Sequence, residues 1–245
     1  AFTAVGIALA ALFLTPLLAS LPIATLAATI IVAVLSLVDL KTPLTIWRYS
    51  KMDFAAMAAT IGVTLLAGVE PGVIAGVGLS LALFLWRSSR PHAAIVGRVP
   101  ETEHFRNVNR HKVFTDPRIL TIRIDESLTY LNARWLEEFI LEQVAEQKSV
   151  RHVILMCSAV NAIDASALES IEAINHRLAD AGISLHLSEV KGPVMDALKR
   201  SHFLEQLSGQ VFLSQNEAYT AIIAIAENED NADTDIDIWK ARGLI

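Results

Sequence analysis

The chain has a single cysteine and few aromatic residues. Its first ninety residues also carry very little charge. Because Cys157 stands alone, no intrachain disulfide framework can hold this fold, and we expect a small buried hydrophobe within the apolar run 153–157. The formal net charge of −6 argues against nucleic acid as a partner. Long apolar runs occupy these first ninety residues. The chain therefore divides near residue 90 into an apolar part and a part typical of water-soluble domains.

Apolar runs of membrane-spanning length fill the first part. A membrane helix needs roughly 20 apolar residues, and the uncharged segments 2–19 and 22–38 meet this need. The third run, 54–86, is interrupted at Gly68–Gly72, so we expect two helices of about 15 residues that barely span a bilayer alone. Gly72 and Gly76 form a small-residue face that permits close helix packing. Since Ala1 lies inside an apolar run, we expect the C-terminal part of a longer membrane protein.

Basic residues flank these runs on one side. The connection 39–53 and the exit 87–112 both contain Lys and Arg, and basic flanks belong on the cytoplasmic side of a membrane. If 54–86 is a hairpin, both connections lie on one face of the bilayer, and the soluble part is cytoplasmic. We therefore expect a multi-pass protein of the cell membrane, typically a bacterial inner membrane, with the lipid bilayer as a partner.

Glu70 is the acidic residue inside the apolar hairpin. An ionisable residue within a membrane segment is a functional candidate. Glu70 also falls at the predicted turn, where water or headgroups can solvate it, and this second interpretation is favoured. Both stay open at the level of sequence.

The second part reads as an α/β domain. After a linker at 91–116, marked by Pro91, Gly97 and Pro100, strand patterns alternate with helix patterns over residues 117–227. We expect strands near 120–124, 128–131, 153–157, 183–187 and 211–213, with Asn132 capping the first helix. This order predicts a mixed, mostly parallel sheet. The acidic tail 228–245 is expected to be solvated and largely disordered.

The segment between the central strand and its helix holds the candidate regulatory site, Asp164 and Ser166. Ser166 and Glu169 fit a capping box, in which the serine hydroxyl accepts a backbone N–H of the first helical turn. Alternatively, Ser166 accepts a phosphoryl group, since a helix N-terminus stabilises a dianion and Asp164 can take the hydroxyl proton. The cap is the favoured interpretation.

No residue pattern indicates an enzyme. The histidines show no metal-ligand spacing, no glycine-rich phosphate loop follows a strand, and His152 is expected to be a polar residue at a strand end. The tail lacks the central glycine and the final acid of a calcium loop. We expect no catalytic residues, no cofactor and no metal.

The order of parts resembles the end of a sulfate permease (SulP) family anion transporter followed by its STAS domain. The resemblance rests on segments 27–40, 68–80 and 87–100, and on Asp164-Ala-Ser166-Ala-Leu168, which resembles the Asp-x-Ser signature of anti-sigma-factor antagonists. It implies that 1–90 holds the last four transmembrane helices of an inverted-repeat transporter and that 117–227 is an α/β STAS domain. In the antagonists, the serine that matches Ser166 is phosphorylated by a partner kinase.

The resemblance implies secondary transport of an anion, with sulfate as the leading substrate and bicarbonate and dicarboxylates as alternatives. The anion site is expected to lie mostly upstream of this chain. The STAS domain is expected to mediate homodimerisation and to bind a cytoplasmic regulatory protein. A membrane-anchored signalling protein without transport is the alternative, although an anchor needs only one span.

Overall fold

The apolar first third of the chain is helical. Its helices are α1 (Phe2–Leu18), α2 (Ile23–Leu37), α3 (Lys41–Tyr49), α4 (Lys51–Ala67) and α5 (Val69–Ser88). The computed structural model describes residues 2–18, 23–39 and 41–241. By length and composition, the stretch Ile23–Tyr49, which contains α2 and α3, and helix α5 can cross a membrane; the apolar stretch Thr3–Phe13 of α1 is shorter.

The connection at 39–53 is not a plain loop, because it contains α3 and the start of α4. The carboxylate of Asp39 accepts from the backbone N–H of Lys41 at 2.8 Å and of Thr42 at 3.3 Å, which caps the start of α3. Ser50 caps α4 in the same way, since its hydroxyl accepts from the N–H of Asp53 at 3.3 Å.

The predicted break in the 54–86 run is narrower than expected. It is confined to Gly68, whose φ of 102° lies in the left-handed region that favours glycine. Because proline is tolerated in the first turn of a helix, Pro71 does not interrupt α5. The two helices are therefore 17 and 20 residues long rather than about 15.

Helices α4 and α5 contact each other through small residues. A Cβ added to Gly72 would lie 2.9 Å from Cα of Thr64, and one added to Gly76 would overlap the hydroxyl of Thr60. Both glycines are buried in this contact. The predicted small-residue face is thus where the hairpin packs, since side chains larger than hydrogen would hold the two backbones apart.

A six-stranded sheet follows, in the order β2-β1-β3-β4-β5-β6. Its strands are β1 (Ala93–Arg98), β2 (Phe105–Asn107), β3 (Ile119–Ile124), β4 (His152–Met156), β5 (Ser184–Ser188) and β6 (Val211–Phe212). β3 to β6 run parallel, and β1 is antiparallel to both β2 and β3. The helices are α6 (Ala133–Glu146), α7 (Ala165–Asp180), α8 (Gly192–Lys199), α9 (Phe203–Gln206) and α10 (Gln215–Ala241). The predicted mixed, mostly parallel sheet is confirmed.

The segment 91–116 is not a linker, because it contributes β1 and β2 to the sheet. Gly97 suggested a loop, but it lies within β1, where a Cβ would come within 2.6 Å of the carbonyl oxygen of Phe114. Glycine is needed there because another backbone approaches closely. β1 is short and lies between Pro91 and Pro100, so its strand pattern was not recognised in the sequence.

Both faces of the sheet are covered. Val153 and Leu155 of β4 belong to a core shared with α6, α7 and α8, whereas Ile154 packs on the opposite face with Ile222 of α10. The continuous apolar pattern of β4 follows from this double burial. α10 also corrects the expectation of a largely disordered tail, because it continues from Gln215 to Ala241; residues 242–245 lie outside the described part.

We expect Gly76→Leu to separate α4 from α5, because the larger side chain meets Thr60 at the crossing. Overpacking of this kind costs about 1–3 kcal/mol. Amide hydrogen exchange of residues 56–80 in the purified chain should accelerate. The matched control is Gly78→Leu on the same helix, where an added Cβ meets no atom of the described residues within 4 Å. Equal exchange in the two variants would contradict the packing argument.

Candidate functional site

Asp164, not Ser166, caps helix α7. The helix begins at Ala165, and the Asp164 Oδ1 atom accepts from the backbone N–H of Ala167 at 2.9 Å. The predicted capping box of Ser166 and Glu169 is therefore wrong by two residues. Aspartate and serine cap equally well, so local sequence does not choose between them.

A tertiary contact makes the choice. The second carboxylate oxygen of Asp164, Oδ2, accepts from the backbone N–H of Tyr130 at 2.8 Å. Asp164 thus starts α7 and at the same time holds the segment before α6. Ser166 lacks such a cross-connection, since among the described residues no hydrogen bond ties its hydroxyl.

Ser166 lies exposed in the first turn of α7. Its neighbours Ala165 and Glu169 are also exposed, whereas Ala167 is buried in the core. The hydroxyl therefore faces solvent beside the N–H groups of a helix N-terminus. This is the environment in which a phosphoryl group is stabilised by the helix dipole.

The loop that carries these residues is fixed at several points. Nζ of Lys191 donates to Oδ1 of Asn161 at 2.6 Å, which joins the loop to the start of α8. Leu128 forms an isolated parallel bridge with Ile163, with N–H···O distances of 3.0 and 3.1 Å to either side. The strand predicted at 128–131 is reduced to this bridge, because the chain then turns into α6.

Glu70 is exposed and lies in the first turn of α5, next to the break at Gly68. Acidic side chains are favourable at a helix N-terminus because they face its positive end. The structure therefore gives Glu70 a position at the turn. Its functional role stays a hypothesis.

A second polar cluster, not predicted from the sequence, joins the start of β4 to the middle of β5. His152 and His186 are each only 3% exposed, and Nδ1 of His152 lies 3.3 Å from Nε2 of His186. His152 was expected to be an ordinary strand-end residue. Its partner is 34 positions away, so only the register of β4 against β5 brings them together.

The hydrogen-bond directions in this cluster follow from one backbone donor. The N–H of Gln210 donates to Nδ1 of His186 at 3.0 Å, so the proton of His186 is on Nε2. His186 then donates to Nδ1 of His152, and His152 donates from Nε2 to Glu229 at 3.3 Å. Burial, with a smaller contribution from His152, lowers the pKa of His186 to about 4.

Ion pairs extend the cluster onto α10. Arg118 pairs with Asp116 at 2.6 Å and also with Asp230, and Arg151 pairs with Asp230 at 3.1 Å. Hydrogen bonding from Arg118 lowers the pKa of the Asp116 carboxyl. Acidic residues of the predicted tail therefore hold α10 against the sheet.

Among the described residues, the lone cysteine and the possible metal ligands give no further site. Cys157 is buried, as predicted, and burial raises its pKa to about 12, so it is a small hydrophobe rather than a nucleophile. In the part of the chain that the structure describes, no three His, Cys, Asp or Glu side chains converge to hold a metal ion.

The comparisons with known proteins match both parts. Residues 1–60 match the sulfate permease family, and residues 112–218 match the STAS domain. The chain belongs to the sulfate permease family. Its first part is a helical region like that of the Solute Carrier 26 proteins, and its second part is an α/β STAS domain.

Similar proteins include plant sulfate transporters. Sulfate transporter 1.3 of Arabidopsis thaliana is 36% identical over 84% of this chain and 33% of its own length. Probable sulfate transporter 4.2 of the same plant is 31% identical over 99% of this chain and 38% of its own length. The chain thus spans about a third of the length of these relatives. Murine Solute Carrier 26 family member A9, an anion transporter, has the same fold with a TM-score of 0.68, 16% identity, and coverage of 76% of this chain and 31% of its own.

We expect Asp164→Ala to lower the stability of the STAS domain by about 0.5–2 kcal/mol, because it removes the cap of α7. Ser166→Ala should change it by less than about 0.5 kcal/mol, since its hydroxyl is exposed and makes no hydrogen bond to any described residue. Thiol labelling of the buried Cys157 in increasing urea measures both variants in the purified chain. An equal loss in the two variants would restore Ser166 as the cap.

We expect the STAS domain to lose stability as the pH falls from about 6.5 to 4. The unfolded state binds a proton on His186 at its ordinary pKa of about 6.5, whereas the folded state does so only near pH 4. The contribution of neutral His186 to the free energy of unfolding is therefore fully present above about pH 6.5. Its loss approaches something on the order of 3 kcal/mol near pH 4. Amide exchange of β4 and β5, corrected for intrinsic rates, measures it.

Two histidine variants make this test specific. His186→Asn keeps an acceptor for the N–H of Gln210 but cannot be protonated, so it should flatten the decline. His202→Asn, at an exposed histidine, should leave the decline unchanged. A decline that persists in His186→Asn would assign it to another group.

Proposed function

We propose that the protein is a secondary anion transporter, with sulfate as its leading substrate. The observation that carries the proposal is the match of residues 1–60 to the sulfate permease family, in one chain with a STAS domain. The similarity to proteins named as sulfate transporters supports sulfate as the substrate. Bicarbonate and dicarboxylates are the alternative substrates.

Helix packing favours transport over a simple membrane anchor. An anchor needs one apolar helix, whereas α4 and α5 form a hairpin with a tight glycine–threonine contact. Such close contacts suit helices that must pack against neighbours rather than against lipid alone. A membrane-anchored signalling protein remains the second candidate function, because the STAS domain forms a folded unit with its own core.

We further propose a cytoplasmic, regulatory STAS domain that forms homodimers and binds a cytoplasmic protein. The basic connections at 39–53 and 87–112 support this orientation. Ser166 is the regulatory acceptor, supported by its exposed hydroxyl and by the cap that Asp164 supplies in its place. Glu70 is a candidate for interaction with headgroups or ions near the hairpin turn.

The test is uptake of labelled sulfate by cells that lack their own sulfate uptake and express the full-length protein containing this chain. We expect saturable uptake that unlabelled sulfate competes away, with bicarbonate and a dicarboxylate as further competitors. The matched control is the segment 1–245 alone, which should give background uptake because most of the anion site is expected upstream. Background uptake of all three anions by the full-length protein would favour the signalling alternative.

A further inference from the structure

Asn132 is a buried polar residue whose side chain does not cap its own helix. It precedes α6 and is only 1% exposed, yet its side chain makes no cap bond to α6. Buried amide groups need hydrogen-bond partners. The side chain of Asn132 finds its partners outside α6. The partners of Asn132 therefore show what it connects.

Those partners lie in two segments. Nδ2 donates to the carbonyl oxygen of Ser127 at 2.9 Å and to that of Ser88 at 3.3 Å, and Oδ1 accepts from the N–H of Thr129 at 3.0 Å. Ser88 is the last residue of α5. Both amide protons of Asn132 are thus used, one of them on a carbonyl that ends a helix and lacks a helical partner.

The segment 127–132, which Asn132 closes, is also fastened to the loop before α7. The N–H of Leu128 donates to Ala162, the N–H of Asp164 donates to Leu128, and the N–H of Tyr130 donates to Oδ2 of Asp164. We call residues 127–132 the bridging segment. It has the end of α5 on one side and the cap of α7 on the other.

We propose that the bridging segment, through Asn132 and Asp164, couples the charge state of Ser166 to the C-terminal end of α5. A negative charge on Ser166 lies two residues from the Asp164 carboxylate on the same helical turn. Like charges repel, and the new anion competes for the same N–H groups. Asp164 then loosens its bond to Tyr130, the bridging segment loses a fixed point, and Asn132 holds Ser88 less firmly.

Amide hydrogen exchange of the purified 245-residue chain tests this without requiring transport. Ser166→Asp should accelerate exchange at least threefold in residues 86–91 and 128–133, while β4 at 152–156 is unchanged. The proposal rests on the regulatory role of Ser166 only for its biological use. A protein without anion uptake can still show the coupling, and a working transporter can lack it.

Asn132→Asp replaces the two amide donors by a carboxylate that faces the Ser88 and Ser127 carbonyls. Exchange at 86–91 should rise in this variant, and adding Ser166→Asp should raise it little further, because the connection is already broken. The matched control is Asn175→Asp. Asn175 is 2% exposed, and its amide also bonds groups outside its own helix, at Gln206 and Ser208, which are remote from α5 in the chain. This control should leave residues 86–91 and the effect of Ser166→Asp unchanged.

Asp164→Asn provides a second route should Asn132→Asp unfold the domain, which faster exchange of β4 would reveal. A neutral amide has one oxygen for the two N–H groups that Asp164 now serves. This variant alone should accelerate 86–91, and Ser166→Asp should add little to it. Unchanged exchange at 86–91 in Ser166→Asp, or full additivity of its effect with either partner variant, would overturn the proposal.

Discussion

The double burial of β4 sets the geometry of both polar clusters. The strand is five residues long and apolar on both faces, so polar groups can lie only at its ends. His152 stands at one end, and the loop from Cys157 to Asp164 leaves from the other. The parallel pairing of β5 with β4 then places His186, in the middle of β5, within reach of His152 at the start of β4.

The sequence predicted most of this frame. The alternation of β3 and β5 and the continuous run of β4 are local patterns, and they fixed the sheet class correctly. β1 was missed because Gly97 has a tertiary reason, the close approach of Phe114, that local sequence does not reveal. The tail from residue 228 was predicted to be disordered because the partners of Asp230 lie at Arg118 and Arg151, far away in the chain.

The site shows the same division between local and long-range information. Local sequence placed Asp164 and Ser166 at the start of a helix, which is correct. It could not decide which of them is the cap, because the decision depends on the N–H of Tyr130, 34 positions earlier. The His152–His186 pair was likewise invisible, since its only signal is the strand register.

The identity of the cap changes how Ser166 can be used. A serine that caps a helix spends its hydroxyl on a backbone N–H, so any modification of that oxygen disturbs the helix start. Asp164 takes over this duty and leaves the Ser166 hydroxyl exposed on a helix that is already formed. Stability and modification are thereby assigned to different side chains two residues apart. The carboxylate that provides stability is also the group that a new negative charge on Ser166 repels first, so the same arrangement that protects the helix makes the bridging segment sensitive to that charge.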